Sequence, residues 1–145
     1  MITLVDRREA GSALPQDMLS GSWFRSLMRL VPRCVSDVPS IPFAVIYVDP
    51  VEIRKLNKQY RDINRVTDVL SFAYTDSEGA FSEGEIVMCP AQALAQRKRF
   101  GTTIHQEFAR LFFHGVLHIY GYDHISSSDR RVMRGLEECL MKKFT

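Results

Sequence analysis

The sequence is poor in cysteine, histidine and net charge, and it has no long apolar run. Its 145 residues include three cysteines and four histidines, and the formal net charge is +2. No apolar run approaches the roughly 20 residues of a membrane-spanning helix, and the first residues lack the apolar core of a signal peptide. So small a net charge does not by itself predict nucleic-acid binding. We therefore expect a cytoplasmic protein that does not bind membranes.

The three cysteines, Cys34, Cys89 and Cys139, are far apart and form no C-x-x-C pair. Their number is odd, and each lies in an apolar stretch. Scattered cysteines of this kind are typical of reduced thiols in the cytosol. The sequence therefore predicts three free thiols with a core role rather than disulfides or metal ligands.

Apolar periodicity and helix-start signals predict one domain that spans residues 1–145. Strands are predicted at 2–5, 43–48, 69–74 and 86–89. Helices are predicted over 15–34, with a stop or kink at Pro32, from 50, over 90–100, from about 105 and from about 126. The threonine and glutamine at 103 and 106 form a capping-box pattern. This order predicts an α+β fold with a mixed four-stranded sheet and one antiparallel strand pair.

Three of the four histidines lie within eleven residues, in the segment HGVLHIYGYDH. On a helix, His114 and His118 share one face and can bind one metal ion. Gly121 can take the left-handed conformation that ends a helix, which would return His124 to the same ion. Three neutral imidazoles with one open position are typical of a catalytic zinc site. The sequence therefore predicts one Zn²⁺ per chain, although the native metal is left open.

The same spacing matches the metzincin protease signature H-E-x-x-H-x-x-G-x-x-H at every position except one. The glutamate that acts as general base in that signature is replaced by Gly115. Glycine has no side chain that could accept a proton. This difference disfavours peptide hydrolysis and leaves the general base and the nucleophile unassigned.

The histidine segment also resembles the signature of the YbeY family of bacterial rRNA maturation factors. Tyr60-Arg61, the run Thr67–Phe72 and the run Gly84–Val87 resemble further family motifs, in the family's order. Two positions depart from the usual family residue, with alanine at 73 and glutamate at 85. The resemblance covers the chain from about residue 45 to its end.

This resemblance implies a zinc-dependent endoribonuclease that cleaves single-stranded RNA. It also implies maturation of the 3′ end of small-subunit rRNA, ribosome quality control, and the ribosome or small-subunit assembly proteins as partners. The family's metal ligands correspond to His114, His118 and His124, and its cleft arginine corresponds to Arg61. Arg61 is accordingly predicted to hold a phosphate through its planar guanidinium, although a solvated arginine at a helix end is the alternative.

Other polar residues near these motifs have two interpretations each. Ser71 either donates to a phosphate or simply ends a strand. Asp123 either orients a ligand imidazole or caps the loop. Scattered cations either line an RNA-backbone groove or are ordinary surface charges; they are Arg54, Lys55, Lys58, Arg65 and Arg97–Arg99.

Three functions therefore stay open at this point. The first is the endoribonuclease, and the second is a metzincin-like peptidase. The third is a non-catalytic ribosome-associated RNA-binding protein whose zinc only holds the fold. A fourth protein ligand would favour the third, and only Asp123 is a candidate.

Overall fold

The computed structural model describes residues 2–9 and 13–145. The described residues form strands β1 (Ile2–Asp6), β2 (Phe43–Tyr47), β3 (Val69–Thr75) and β4 (Phe81–Met88). The α-helices are α1 (Gly21–Met28), α2 (Pro50–Arg61), α3 (Pro90–Phe100), α4 (Ile104–Ile119) and α5 (Ser127–Phe144). Among these helices, none combines the length and apolarity that would let it span a membrane. The predicted α+β class is confirmed.

The four strands form one mixed sheet in the order β1-β2-β4-β3. The pairs β1–β2 and β2–β4 are parallel, whereas β3 is antiparallel to β4, as predicted. β4 begins at Phe81, earlier than predicted, because the hairpin turn is short. The Asp76 carboxylate accepts hydrogen bonds from the backbone N–H groups of Glu78 and Ala80 at 2.9 and 3.0 Å. These hydrogen bonds keep the turn between β3 and β4 short. In the sheet, β3 is an edge strand.

The segment predicted as one helix over 15–34 is divided into three pieces. A 3₁₀ turn covers Gln16–Leu19, α1 follows, and a second 3₁₀ turn covers Val31–Arg33. Ser20 has an extended backbone (φ −138°, ψ 155°), which separates the first turn from α1. The apolar stripe was therefore interpreted correctly as a buried face, but a single continuous helix was wrong.

The prediction of three free thiols is also wrong. Cys34 and Cys139 form a disulfide with a Cα–Cα distance of 6.1 Å, and only Cys89 is free and buried. The two bonded cysteines are 105 residues apart in sequence, and folding brings the segment after α1 against α5. The prediction failed because a large separation in sequence does not exclude contact in space. Since two of the three cysteines are bonded, the cysteines no longer indicate a reducing compartment.

Helix α4 lies in the main core, where it packs against β3 and β4 and contacts α1, α3 and α5. It begins with the predicted capping box, because the Thr103 hydroxyl accepts from the Gln106 N–H and the Gln106 side chain accepts from the Thr103 N–H. Gly115 faces β4, where an added Cβ would lie 3.1 Å from the Ile86 Cγ2. This close approach seats the histidine-bearing helix directly on the sheet. A smaller core on the opposite face is covered by α2.

Candidate metal centre

The histidine segment forms a compact cluster at the end of α4. Ring nitrogens of His114, His118 and His124 all lie within 4.8 Å of one another. The ring centroids of His114 and His118 are 4.5 Å apart, and those of His118 and His124 are 5.1 Å apart. The three residues that the sequence pattern singled out are thus brought to one point where a metal ion could bind.

Local backbone geometry explains how the third histidine reaches the first two. α4 ends at Ile119, and Gly121 has a φ of +97°, which side-chain-bearing residues rarely adopt. The Tyr122 N–H donates to the Leu117 carbonyl at 3.0 Å, so the chain folds back over the last turn of the helix. The bend also places the Tyr122 carbonyl 2.9 Å from His118 Nδ1, which donates to it.

Glu137, which the sequence interpretation missed, contacts the first histidine. The carboxylate Oε1 of Glu137 accepts a hydrogen bond from His114 Nδ1 at 2.7 Å. Both side chains are about three-quarters buried, at 24% and 25% exposure, so water screens this contact less than a surface pair. A signal was present, because Glu137 lies beside Leu136 and Leu140 on the inner stripe of α5. An acidic residue on an apolar helix face generally has a buried partner.

The hydrogen bonds at the two Nδ1 atoms suit the cluster to a cation. In a neutral imidazole that donates from Nδ1, Nε2 carries a lone pair, and the Nε2 atoms of His114 and His118 lie 3.1 Å apart. Two acceptor lone pairs cannot hydrogen-bond each other, whereas a metal between them would use both. Burial, and then the neighbouring His114, keep the pKa of His118 below its ordinary value. The neutral form is the one that binds metals, so the donor set fits zinc.

Asp123 and His105 make contacts that serve local structure. Asp123 Oδ1 accepts from the Ile125 N–H at 3.2 Å, which is the loop-capping contact. A role for Asp123 beside His124 stays a prediction. His105, in the first turn of α4, contacts Asp17 at 3.0 Å and lies far from the cluster along the helix.

A cleft of about 540 Å³ opens from the histidine cluster along β3. Its walls include Arg61 at the end of α2, the β3 residues 69–73, and Ile119. Ser71 lies in this wall, and its hydroxyl has no hydrogen bond within the described ranges. The Arg61 side chain is exposed and likewise has no hydrogen bond or ion pair among residues 2–9 and 13–145. The fold thus brings Arg61 and Ser71, predicted from sequence, to the same cleft as the three histidines.

The other predicted cations do not line this cleft. Arg54, Lys55 and Lys58 border a separate hollow of about 420 Å³ on the outer surface of α2. Arg54 donates to the Asn64 side chain, and Lys58 pairs with Asp62. These residues lie earlier in α2 than Arg61 and border the other hollow, so they do not share the cleft with the histidines.

The fold and the cluster together define a class of protein. It is the class of α+β proteins in which a sheet-packed helix and a following glycine bend present three histidines for one metal ion. The sequence model described as "Endoribonuclease YbeY" matches residues 13–145 of this chain. The chain belongs to that family.

Proteins with the name Endoribonuclease YbeY are similar along most of the chain. The Thermoanaerobacter sp. (strain X514) protein is 34% identical over 99% of this chain and 97% of its own length. The Thermodesulfovibrio yellowstonii protein is 42% identical over 68% of this chain and 64% of its own length. A Thermotoga maritima protein with a known solution structure is 27% identical, with a TM-score of 0.57 and coverage of 99% of this chain and 91% of that chain. The resemblance predicted from the motifs is confirmed.

Proposed function

We propose that the protein is a zinc-dependent endoribonuclease specific for single-stranded RNA, formed by one domain over residues 1–145. The observation that carries this proposal is the composition of the cleft. It combines three histidines with Arg61, and within the described part of the chain no aspartate or glutamate lines it. A cleft with an arginine, a candidate cation site and no carboxylate favours an anionic substrate such as a phosphodiester.

His114, His118 and His124 would hold the zinc, with His114 oriented by Glu137 and His118 by the Tyr122 carbonyl. A zinc bound by three neutral imidazoles would supply a Lewis acid that activates water at a pH of about 7. Hydrogen bonds of this kind at the far ring nitrogen fix the tautomer and the ring orientation of a ligand histidine.

The Arg61 guanidinium would bind two phosphate oxygens through its planar fork and stabilise the charge that develops during cleavage. Ser71, in the same wall of the cleft, would donate a hydrogen bond to the RNA backbone. Neither residue is a metal ligand, so both act on the substrate alone.

The peptidase alternative is disfavoured by Gly115. Its Cβ position faces Ile86 on β4, so a side chain added there starts against the sheet. No carboxylate within the described cleft takes the place of the missing base. A fourth protein ligand would favour the non-catalytic alternative, and the described contact of Asp123 is with backbone.

The small-subunit rRNA 3′ end is the substrate that we propose, with ribosome quality control as the wider role. Ribosomes or small-subunit assembly proteins would be the partners, and the cytoplasm would be the compartment. These finer assignments rest on family membership and stay predictions.

The direct test combines metal analysis with cleavage assays on the purified chain. We expect one zinc per chain, and cleavage of a single-stranded rRNA 3′ precursor but not of its duplex. His118→Ala should lose both zinc and cleavage, because two imidazoles remain, whereas the control His105→Ala should keep both. Zinc-dependent turnover of casein without RNA cleavage would favour the peptidase. Bound zinc without any turnover would favour the RNA-binding alternative.

A further inference from the structure

Tyr60 is an exposed aromatic residue in the wall of the histidine cleft. It lies in the last turn of α2, directly before Arg61, and 59% of its surface is accessible. Its ring meets the Phe72 ring edge-on, with centroids 5.0 Å apart and an interplanar angle of 67°. Phe72 thus holds the Tyr60 ring in place without covering it.

The cleft offers two kinds of surface side by side. The histidines and Arg61 suit a phosphate, whereas Tyr60, Phe72 and the apolar residues of β3 suit a flat apolar group. A nucleotide has these two parts, an anionic phosphate and a planar base. Stacking on an aromatic side chain is also tolerant of base identity, because every base has a π-face.

We propose that Tyr60 is a base-stacking platform for the unpaired nucleotide next to the phosphate held at the cleft. This inference rests on the proposed nuclease function and adds the feature that selects single strands. In a duplex both faces of each base are already covered by neighbouring bases. Only an unpaired nucleotide can turn its base onto Tyr60 while its phosphate lies by Arg61.

Two other exposed aromatic residues lie outside the lining of this cleft and serve as comparisons. Tyr74 lies further along β3, outside the cleft lining, and a hydrogen bond with the Glu85 carboxylate raises the pKa of its hydroxyl to about 12. Phe100, at the end of α3, is 68% exposed and contacts Arg99. Phe100 therefore has an aromatic ring and a cation but no histidine cleft, which makes it the matched control.

The test uses short single-stranded RNAs in which one abasic nucleotide is moved along the positions that flank the cleaved bond. The zinc-loaded wild type is compared with Tyr60→Leu, Tyr60→Trp and Phe100→Ala. Leucine keeps an apolar contact with Phe72 but has no flat ring, and zinc content and melting temperature verify the fold. The KM and kcat are measured for every pair of enzyme and RNA.

We expect Tyr60→Leu to raise the KM by about 5- to 150-fold, the factor that corresponds to one stacked base. Phe100→Ala should have the wild-type KM, whereas Tyr60→Trp, which keeps a flat ring, should have a KM closer to that of the wild type than to that of Tyr60→Leu. An abasic nucleotide at one position should raise the KM of the wild type by the same factor. It should leave the KM of Tyr60→Leu unchanged. The ratio of kcat/KM for single-stranded RNA to kcat/KM for duplex RNA should be smaller in Tyr60→Leu than in the wild type.

The outcomes separate this inference from the function on which it rests. A wild type that neither binds nor cleaves RNA overturns both. A wild type that cleaves RNA, with equal abasic losses in wild type and Tyr60→Leu, overturns the stacking role alone. Unchanged KM in a folded, zinc-loaded Tyr60→Leu has the same meaning.

Discussion

Arg61 and Glu137 show how single residues are given roles by their neighbours. Arg61 is an ordinary exposed arginine at a helix end, yet it borders the same cleft as the histidine cluster. Glu137 is an ordinary helical glutamate, yet its carboxylate lies 2.7 Å from His114 Nδ1. In the function that we propose, Arg61 acts on the substrate and Glu137 supports the metal site, so their substitutions should affect different measurements.

Arg61→Ala should keep the fold and the zinc and lose about 10²–10³ in cleavage rate, the usual effect of removing one donor to developing charge. Arg61→Lys should recover only part of this loss, because an ammonium has the charge without the planar fork. Metal analysis, melting temperature and RNA cleavage test the three proteins. Wild-type turnover by folded, zinc-loaded Arg61→Ala would remove Arg61 from the mechanism.

Glu137→Ala should weaken zinc binding by about 10- to 100-fold, because His114 loses the acceptor that orients its ring. Glu137→Gln keeps an oxygen acceptor, so its zinc affinity should lie between those of the wild type and Glu137→Ala. Glu138→Ala is the matched control, since Glu138 is exposed and adjacent. Chelator competition measures the affinities. Equal zinc affinity in the Glu137→Ala and Glu138→Ala proteins would mean that the hydrogen bond does not support the site.

At the scale of the element, α4 has two tasks that meet at Gly115. The helix must present His114 and His118 to the cleft, and it must lie close to β4. Gly115 permits the second, because the Ile86 side chain occupies the space next to its Cα. Ile86 itself is fully buried and has little room to move. Gly115 thus occupies the position of the metzincin base and also allows α4 to pack closely against β4.

Gly115→Ala should lower the free energy of unfolding, whereas Gly135→Ala should raise it. Both variants gain about 0.8–1.0 kcal/mol of helix propensity. Only Gly115→Ala crowds a neighbour, at a cost of about 1–3 kcal/mol, because an added Cβ at Gly135 meets nothing within 4 Å. Urea unfolding of the two variants therefore isolates the contact with Ile86. Equal stabilisation by the two substitutions would show that the Ile86 side chain can move aside without a cost in free energy.

At the scale of the whole molecule, distant parts of the chain converge on α5 and on the cleft. The disulfide joins the segment after α1 to α5 at Cys139, two residues beyond Glu137. The cleft combines the end of α2, strand β3 and the segment after α4. The site therefore depends on long-range contacts as well as on its local motif.

The disulfide leads to a prediction about the number of free thiols and the stability of the protein. Unreduced, denatured protein should contain one reactive thiol per chain, that of Cys89. Reduction should lower the free energy of unfolding by about 2–4 kcal/mol, because the freed chain gains conformations when unfolded. The double variant Cys34→Ala/Cys139→Ala should not respond to reductant. Three reactive thiols before reduction would show that the bond is not formed.

The sequence by itself determined the features that depend on neighbouring residues. Apolar periodicity, the capping box at Thr103 and the proline at the start of α2 predicted most elements, because helix and strand geometry is local. The histidine cluster was predictable for the same reason, since a spacing of four residues and a glycine bend place His114, His118 and His124 without help from the rest of the fold.

Tertiary structure alone decided the rest, because those features join residues that are far apart in sequence. The contact of Glu137 with His114, the bond between Cys34 and Cys139, and the seat of Gly115 on Ile86 have no local pattern. The division of the cations was decided in the same way. Arg61, at the end of α2, borders the cleft and Lys58 does not, because the direction of α2 relative to β3 decides which of its cations comes near the histidines.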